Sequence, residues 1–106
     1  MRLSRLSDMT KGWFVGDFTP AVLKSDAAEV ALKSYAAGTT ESRHLHRIAT
    51  EVTLIVSGRA RMNETILNAG DIATIEPGEA TDFEALTDVT TVVVKTPSVM
   101  GDKYPC

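Results

Sequence analysis

GTTESRHLHRIATEVTLIVSG, residues Gly38 to Gly58, holds both histidines of the chain, His44 and His46, with Glu51 following after four intervening residues. On a β-strand, residues i and i+2 point to the same face, so the two imidazoles project side by side. A short turn over Arg47–Thr50 returns the chain antiparallel and brings Glu51 near both. Two neutral imidazoles and one carboxylate form a nitrogen/oxygen donor set suited to a divalent metal, with coordination positions left open.

The flanking segments read as strands. Upstream, Glu29–Ala36 (EVALKSYA) alternates, with Val30 and Leu32 on one face and Lys33 and Tyr35 on the other. That second face is either a cavity wall, which makes Lys33 and Tyr35 ligand contacts, or solvent. Residues 1–10 are expected as a loosely held arm or an edge strand. Trp13 and Phe14 are expected to cap a barrel end or to sit in a subunit interface. Pro20 marks a break before a short strand over Ala21–Lys24.

Downstream, Val52–Val56 (VTLIV) has the β-branched character of a strand buried on both faces. Arg59–Met62 and Thr65–Leu67 form a hairpin around Asn63-Glu64, where asparagine tolerates turn geometry. A turn at Asn68–Asp71 leads into a strand that Pro77-Gly78 breaks. Thr81–Leu86 and Thr90–Lys95 are the last strands, and Lys95 is expected to snorkel to the surface. The tail is expected to wrap the outside without regular structure. No helical period of useful length occurs. Short strands with turn signals at close spacing predict an all-β fold, an antiparallel β-barrel or jelly roll. One domain fits 106 residues, with an N-terminal arm over 1–28, a barrel core over about 29–96 and a tail over 97–106.

Gly38, His44, His46, Glu51 and Gly58 fit the first motif of the cupins, G-x5-H-x-H-x3,4-E-x6-G, at every spacing. The chain resembles a small single-domain cupin from about Lys33 to Thr96. The resemblance implies a cupin-type β-barrel and a divalent metal (Fe, Mn, Ni or Zn) on His44, His46 and Glu51. It also implies a small polar ligand such as a sugar, a keto acid or an oxidisable organic acid, and a homodimer.

The second cupin motif, G-x5-P-x-G-x2-H-x3-N, is only half present. Gly70 and Gly78 are correctly separated, but Glu76 holds the proline position, with Pro77 one step later. Thr81 replaces the histidine that completes the family's metal set, and Ala85 replaces the asparagine. Three readings follow. The remaining three donors hold a metal with water or substrate in the vacated position. Alternatively, a nearby carboxylate substitutes, although Asp82 points away if Thr81 points inward. In the third, the site is vestigial and the barrel is a non-enzymatic binding or sensing module. Thr81, Phe83 and Tyr35 are the candidate cavity-lining residues.

A net charge of −3 without a basic cluster excludes a nucleic-acid binder that relies on phosphate contacts. Arg43, Arg47, Arg59 and Arg61 flank the motif and suit either an acidic ligand or solvent. No apolar run reaches bilayer-spanning length and no signal-peptide core is evident, so a cytoplasmic location is expected. The single cysteine, Cys106, cannot form an internal disulfide.

Overall fold

The computed structural model describes all residues from Met1 to Cys106. Apart from one 3-10 turn at Leu6–Asp8, its regular structure is entirely β. The strands are β1 (Trp13–Gly16), β2 (Leu23–Lys24), β3 (Glu29–Tyr35), β4 (Thr40–Leu45), β5 (Thr50–Ser57) and β6 (Arg59–Met62). They continue with β7 (Thr65–Asn68), β8 (Ile72–Ile75), β9 (Thr81–Ala85), β10 (Val89–Thr96) and β11 (Tyr104–Pro105). One sheet runs β2-β1-β3-β10-β5-β8 and the other β11-β4-β9-β6-β7. All pairings are antiparallel except β1 with β2. No helix is long and apolar enough to cross a membrane.

Local chemistry explains the punctuation. Asn63 and Glu64 both take positive φ, 47° and 68°, in the two-residue link between β6 and β7. This is the twist-compatible loop that joins paired strands tightly. Gly58 (φ 85°) lies where a Cβ would come within 2.0 Å of the Asp88 carbonyl oxygen. Only glycine fits there, which ties the end of β5 to the turn before β10.

The six-stranded sheet sorts its inner residues by position along the strands. In register across β3, β10 and β5, Lys33 lies beside Thr91 and Thr91 beside Ile55. Further along, Ala31, Val93 and Thr53 form a row, and Glu29, Lys95 and Glu51 form the next. The apolar end belongs to a core of Ile55, Ala60, Met62, Ile75, Phe83, Ala85 and Val89. The barrel is therefore filled at one end and open, with polar walls, at the other.

Several expectations need correction. Val52–Val56 is not buried on both faces: Thr53 and Ile55 are buried, Val52 and Leu54 are half-buried and Val56 is exposed. The outer face of that sheet is only half-buried, bordered at Leu32 and Val92 by Leu6 and Met9 of the N-terminal arm. The arm is not merely an arm, since β1 and β2 extend the sheet. Nor is the tail irregular, since β11 pairs with β4. Lys95 does not turn outward: it shares the inward parity of Thr91 and Val93 and lines the cavity. Finally, the turn after β4 does not close a hairpin. β4 and β5 lie in different sheets, so His46 sits where the chain crosses between them.

Candidate metal and ligand site

The open end of the barrel is one cavity lined by residues of both sheets, the arm and the tail. His44, His46 and Glu51 lie on its wall, as do Tyr35, Thr81 and Phe83. His44 is the penultimate residue of β4 and stands opposite Thr81 of β9 in register. The position vacated by the family's third histidine is thus beside the histidine pair. The rings of His44 and His46 are edge-on, with centroids 5.2 Å apart.

Each imidazole is held through Nδ1. His44 Nδ1–H donates to the Ser42 carbonyl at 2.9 Å, and His46 Nδ1–H donates to the Asp102 carbonyl. A carbonyl can only accept, so Nδ1 carries the proton and Nε2 is left with the lone pair in the neutral ring. Backbone carbonyls commonly orient metal-binding histidines in this way. Glu51 is oriented as well, because Thr53 Oγ1 donates to its Oε2 at 3.1 Å. Its other oxygen, Oε1, faces His46 Nε2 at 3.5 Å.

That contact is the most informative in the cavity. His46 Nε2 is buried and has no hydrogen-bond partner. With Nδ1 already the donor, two acceptors face one another, and only a cation between them relieves the opposition. A proton does so in part: the Glu51 carboxylate raises the His46 imidazole, against burial, which lowers it. For Glu51, burial pushes the carboxyl up, but His46, Lys95 and Thr53 outweigh it and hold it below its usual range. A metal does so too. Two ligands about 2.1 Å from one ion at tetrahedral angles stand about 3.4 Å apart, which the observed gap matches. Convergence nevertheless stops at this pair. No three His, Cys, Asp or Glu side chains are grouped closely enough to hold an ion. His44 is a neighbour of the pair, not a third donor, in the conformation observed.

Tyr35 packs on Phe83 with ring centroids 4.6 Å apart and donates to Glu41 Oε1 at 2.8 Å. Burial and the Glu41 carboxylate push its phenol far up, so it stays a proton donor. Asp82 Oδ1 accepts the Asn63 N–H and is committed there.

The arginines take no part. Arg61 pairs with Glu84, Arg47 lies 4.0 Å from the Tyr104 ring centroid, Arg43 bonds Asn63, and none lines the cavity. The cavity cations are lysines instead, Lys11, Lys33, Lys95 and Lys103. Parity with Thr91 and Val93 was the sequence signal available for Lys95. Asp102 had none. Its buried carboxylate accepts the N–H groups of Arg47, Ile48 and Ala49, fixing the turn that carries His46. The surviving backbone of the second motif helps, since Gly78 N–H donates to the His46 carbonyl at 2.7 Å.

No protein-family model and no curated protein sequence matches the chain. Solved structures do. A double-stranded β-helix protein of Klebsiella pneumoniae aligns at 22% identity and TM-score 0.70, over 94% of this chain and 88% of that one. A sugar phosphate isomerase of the cupin superfamily from Silicibacter pomeroyi aligns at 22% identity and TM-score 0.63, over 68% and 52%. Oxalate decarboxylase of Bacillus subtilis, a protein with Mn(II) centres, aligns at 16% identity and TM-score 0.68, over 76% and 24%. Strand order, the open polar barrel end and these alignments agree: the chain is a small domain with the double-stranded β-helix fold of the cupins.

Proposed function

We propose that this cupin binds a small polar molecule, such as a sugar or an organic acid, in the open barrel end beside a divalent metal. His46 and Glu51 would hold the metal, and His44 would join as a third donor only after its ring moves toward the pair. The observation that carries this reading is the opposed Nε2 and Oε1 pair, both oriented by bonds on their far sides and both lacking a donor between them. Bound there, a metal supplies a Lewis acid with open positions for ligand oxygens, as isomerase or oxygenase chemistry requires. The chain's own residues do the rest. Asp102 and Ser42 keep both Nδ1 atoms protonated, Tyr35 offers an O–H, and Phe83 closes the apolar floor.

A second reading is favoured by the incomplete convergence and by Thr81: a proton fills the gap, and the barrel is a metal-free binding or sensing module. Elemental analysis of untagged protein separates the two. About one equivalent of Fe, Mn, Ni or Zn is expected in wild type, and it should be lost in His46→Ala. Wild type that stays empty after reconstitution would leave the module reading standing.

The half-buried outer face of the larger sheet suits a homodimer. Val52, Leu54 and Val94 lie on it, and Leu6 and Met9 of the N-terminal arm border Leu32 and Val92. Sedimentation velocity should show a dimer that Leu54→Glu converts to monomer. A wild-type monomer at tens of micromolar would exclude that assembly.

A further inference from the structure

Two ammonium groups of the cavity wall converge on one indole. Lys95 Nζ lies 5.0 Å and Lys33 Nζ 5.7 Å from the centroid of the same indole, Trp13. Neither is in an ion pair: the two pairs in the chain are His46–Glu51 and Arg61–Glu84. Glu29 and Glu51 stand opposite Lys95 in register and Glu41 acts on Lys33, but none makes a direct ion pair with either lysine, and Asp102 is taken by backbone N–H groups. Of the other cavity acids, Asp17 is exposed, Asp82 accepts the Asn63 N–H, and the Glu29 carboxyl is raised by burial, with Lys95 opposing. Burial likewise lowers the Lys33 ammonium, against Glu41. Half-buried cations are costly unless something pairs them.

An independent observation lies alongside. Thr91, 1% exposed, lines the cavity and stands opposite Lys33 in register. Cross-strand partners on one face have their Cβ atoms about 5 Å apart. Its Oγ1 has no hydrogen-bond partner. An unsatisfied buried hydroxyl in the row of Lys33, with the Lys95 ammonium at the same indole, is what an anionic oxygen cluster would complete.

We infer that Lys33, Lys95 and Thr91, with Trp13 as the wall, form an anion subsite for the carboxylate of a small organic acid. It deepens the proposed function by giving the ligand's charge, and rests on that reading only in taking the cavity as the binding site.

Trp13 is the sole tryptophan, so its fluorescence reports on the subsite directly. Malonate would be titrated at constant ionic strength with chelator present, and the heats checked by calorimetry. A saturable signal is expected for wild type and Lys33→Arg, and none for neutral malonamide. Lys33→Met and Lys95→Met should each bind at least about tenfold more weakly, the usual effect of losing one charged hydrogen bond. Unchanged melting temperatures would show both variants folded. If Lys33→Met fails to fold, Lys95→Met and the malonamide control still decide. No saturable malonate signal in wild type, or equal affinity in folded Lys→Met variants, overturns the subsite. So does a signal that chelator abolishes, because the anion would then sit on a metal. Malonate binding by the chelator-treated wild type supports the subsite and leaves the metal to be decided by elemental analysis.

Discussion

Asp102→Ala is expected to destabilise the fold by about 3 kcal/mol, since charge-assisted hydrogen bonds contribute roughly 1.5–3 kcal/mol each and an orphaned donor costs more. Three consecutive N–H groups, of Arg47, Ile48 and Ala49, lose their acceptor together. For a domain of this length that lowers Tm by roughly 15 °C. Asp102→Asn keeps one acceptor oxygen and should lose about half as much.

The pH dependence of this contribution has a definite sign. Burial alone would raise the Asp102 carboxyl, but the three N–H groups overcome it and hold it below the usual range. A depressed folded-state pKa means the stabilisation is complete above the unfolded value of 3.8 and is lost as pH falls through the folded value. The difference in stability between wild type and Asp102→Ala should therefore be constant at neutral pH and shrink below about pH 4. Denaturant melts at pH 7 and pH 3 measure both. Equal stability of the two proteins at pH 7 would show that the tail does not hold the His46 turn.

Thr81→His is expected to tighten zinc binding by roughly a hundredfold, at the upper end of what even an orienting partner contributes to metal affinity. Position 81 faces His44 across β4 and β9 and lies on the cavity wall. The added ring enters open space instead of a packed core, so the usual cost of enlarging a buried side chain is small. It restores the donor that the second motif lacks. Competition against a chromophoric chelator would measure the gain in wild type, Thr81→His and Thr81→His/His46→Ala. The gain should vanish in the double variant. A folded Thr81→His protein with wild-type affinity would mean that the His46–Glu51 gap accommodates a proton, not a metal.

Much of the molecule was legible in the chain because the signals are local. Alternation in Glu29–Tyr35 and Thr90–Lys95, the glycines at 38, 58, 70 and 78, and the Asn63-Glu64 link each act over a few residues, through strand period and allowed φ. The spacing from Gly38 to Gly58 implied the barrel through its resemblance to the first cupin motif. Period two, however, yields two faces without saying which is inside. The inward placement of Lys33, Tyr35 and Lys95 follows from closure of the two sheets around a common interior. The same holds for the link between the tail and the first motif, where Asp102 meets His46 across 56 residues. Nothing in the chain around Asp102 signals that meeting, because it is made by β11 docking on the free edge of β4. The sequence by itself determined the strands, their turns and the nature of the donors. Tertiary structure alone decided which donors face one another, how each histidine is oriented, and which cations the cavity leaves unpaired, because those depend on contacts between segments far apart in the chain.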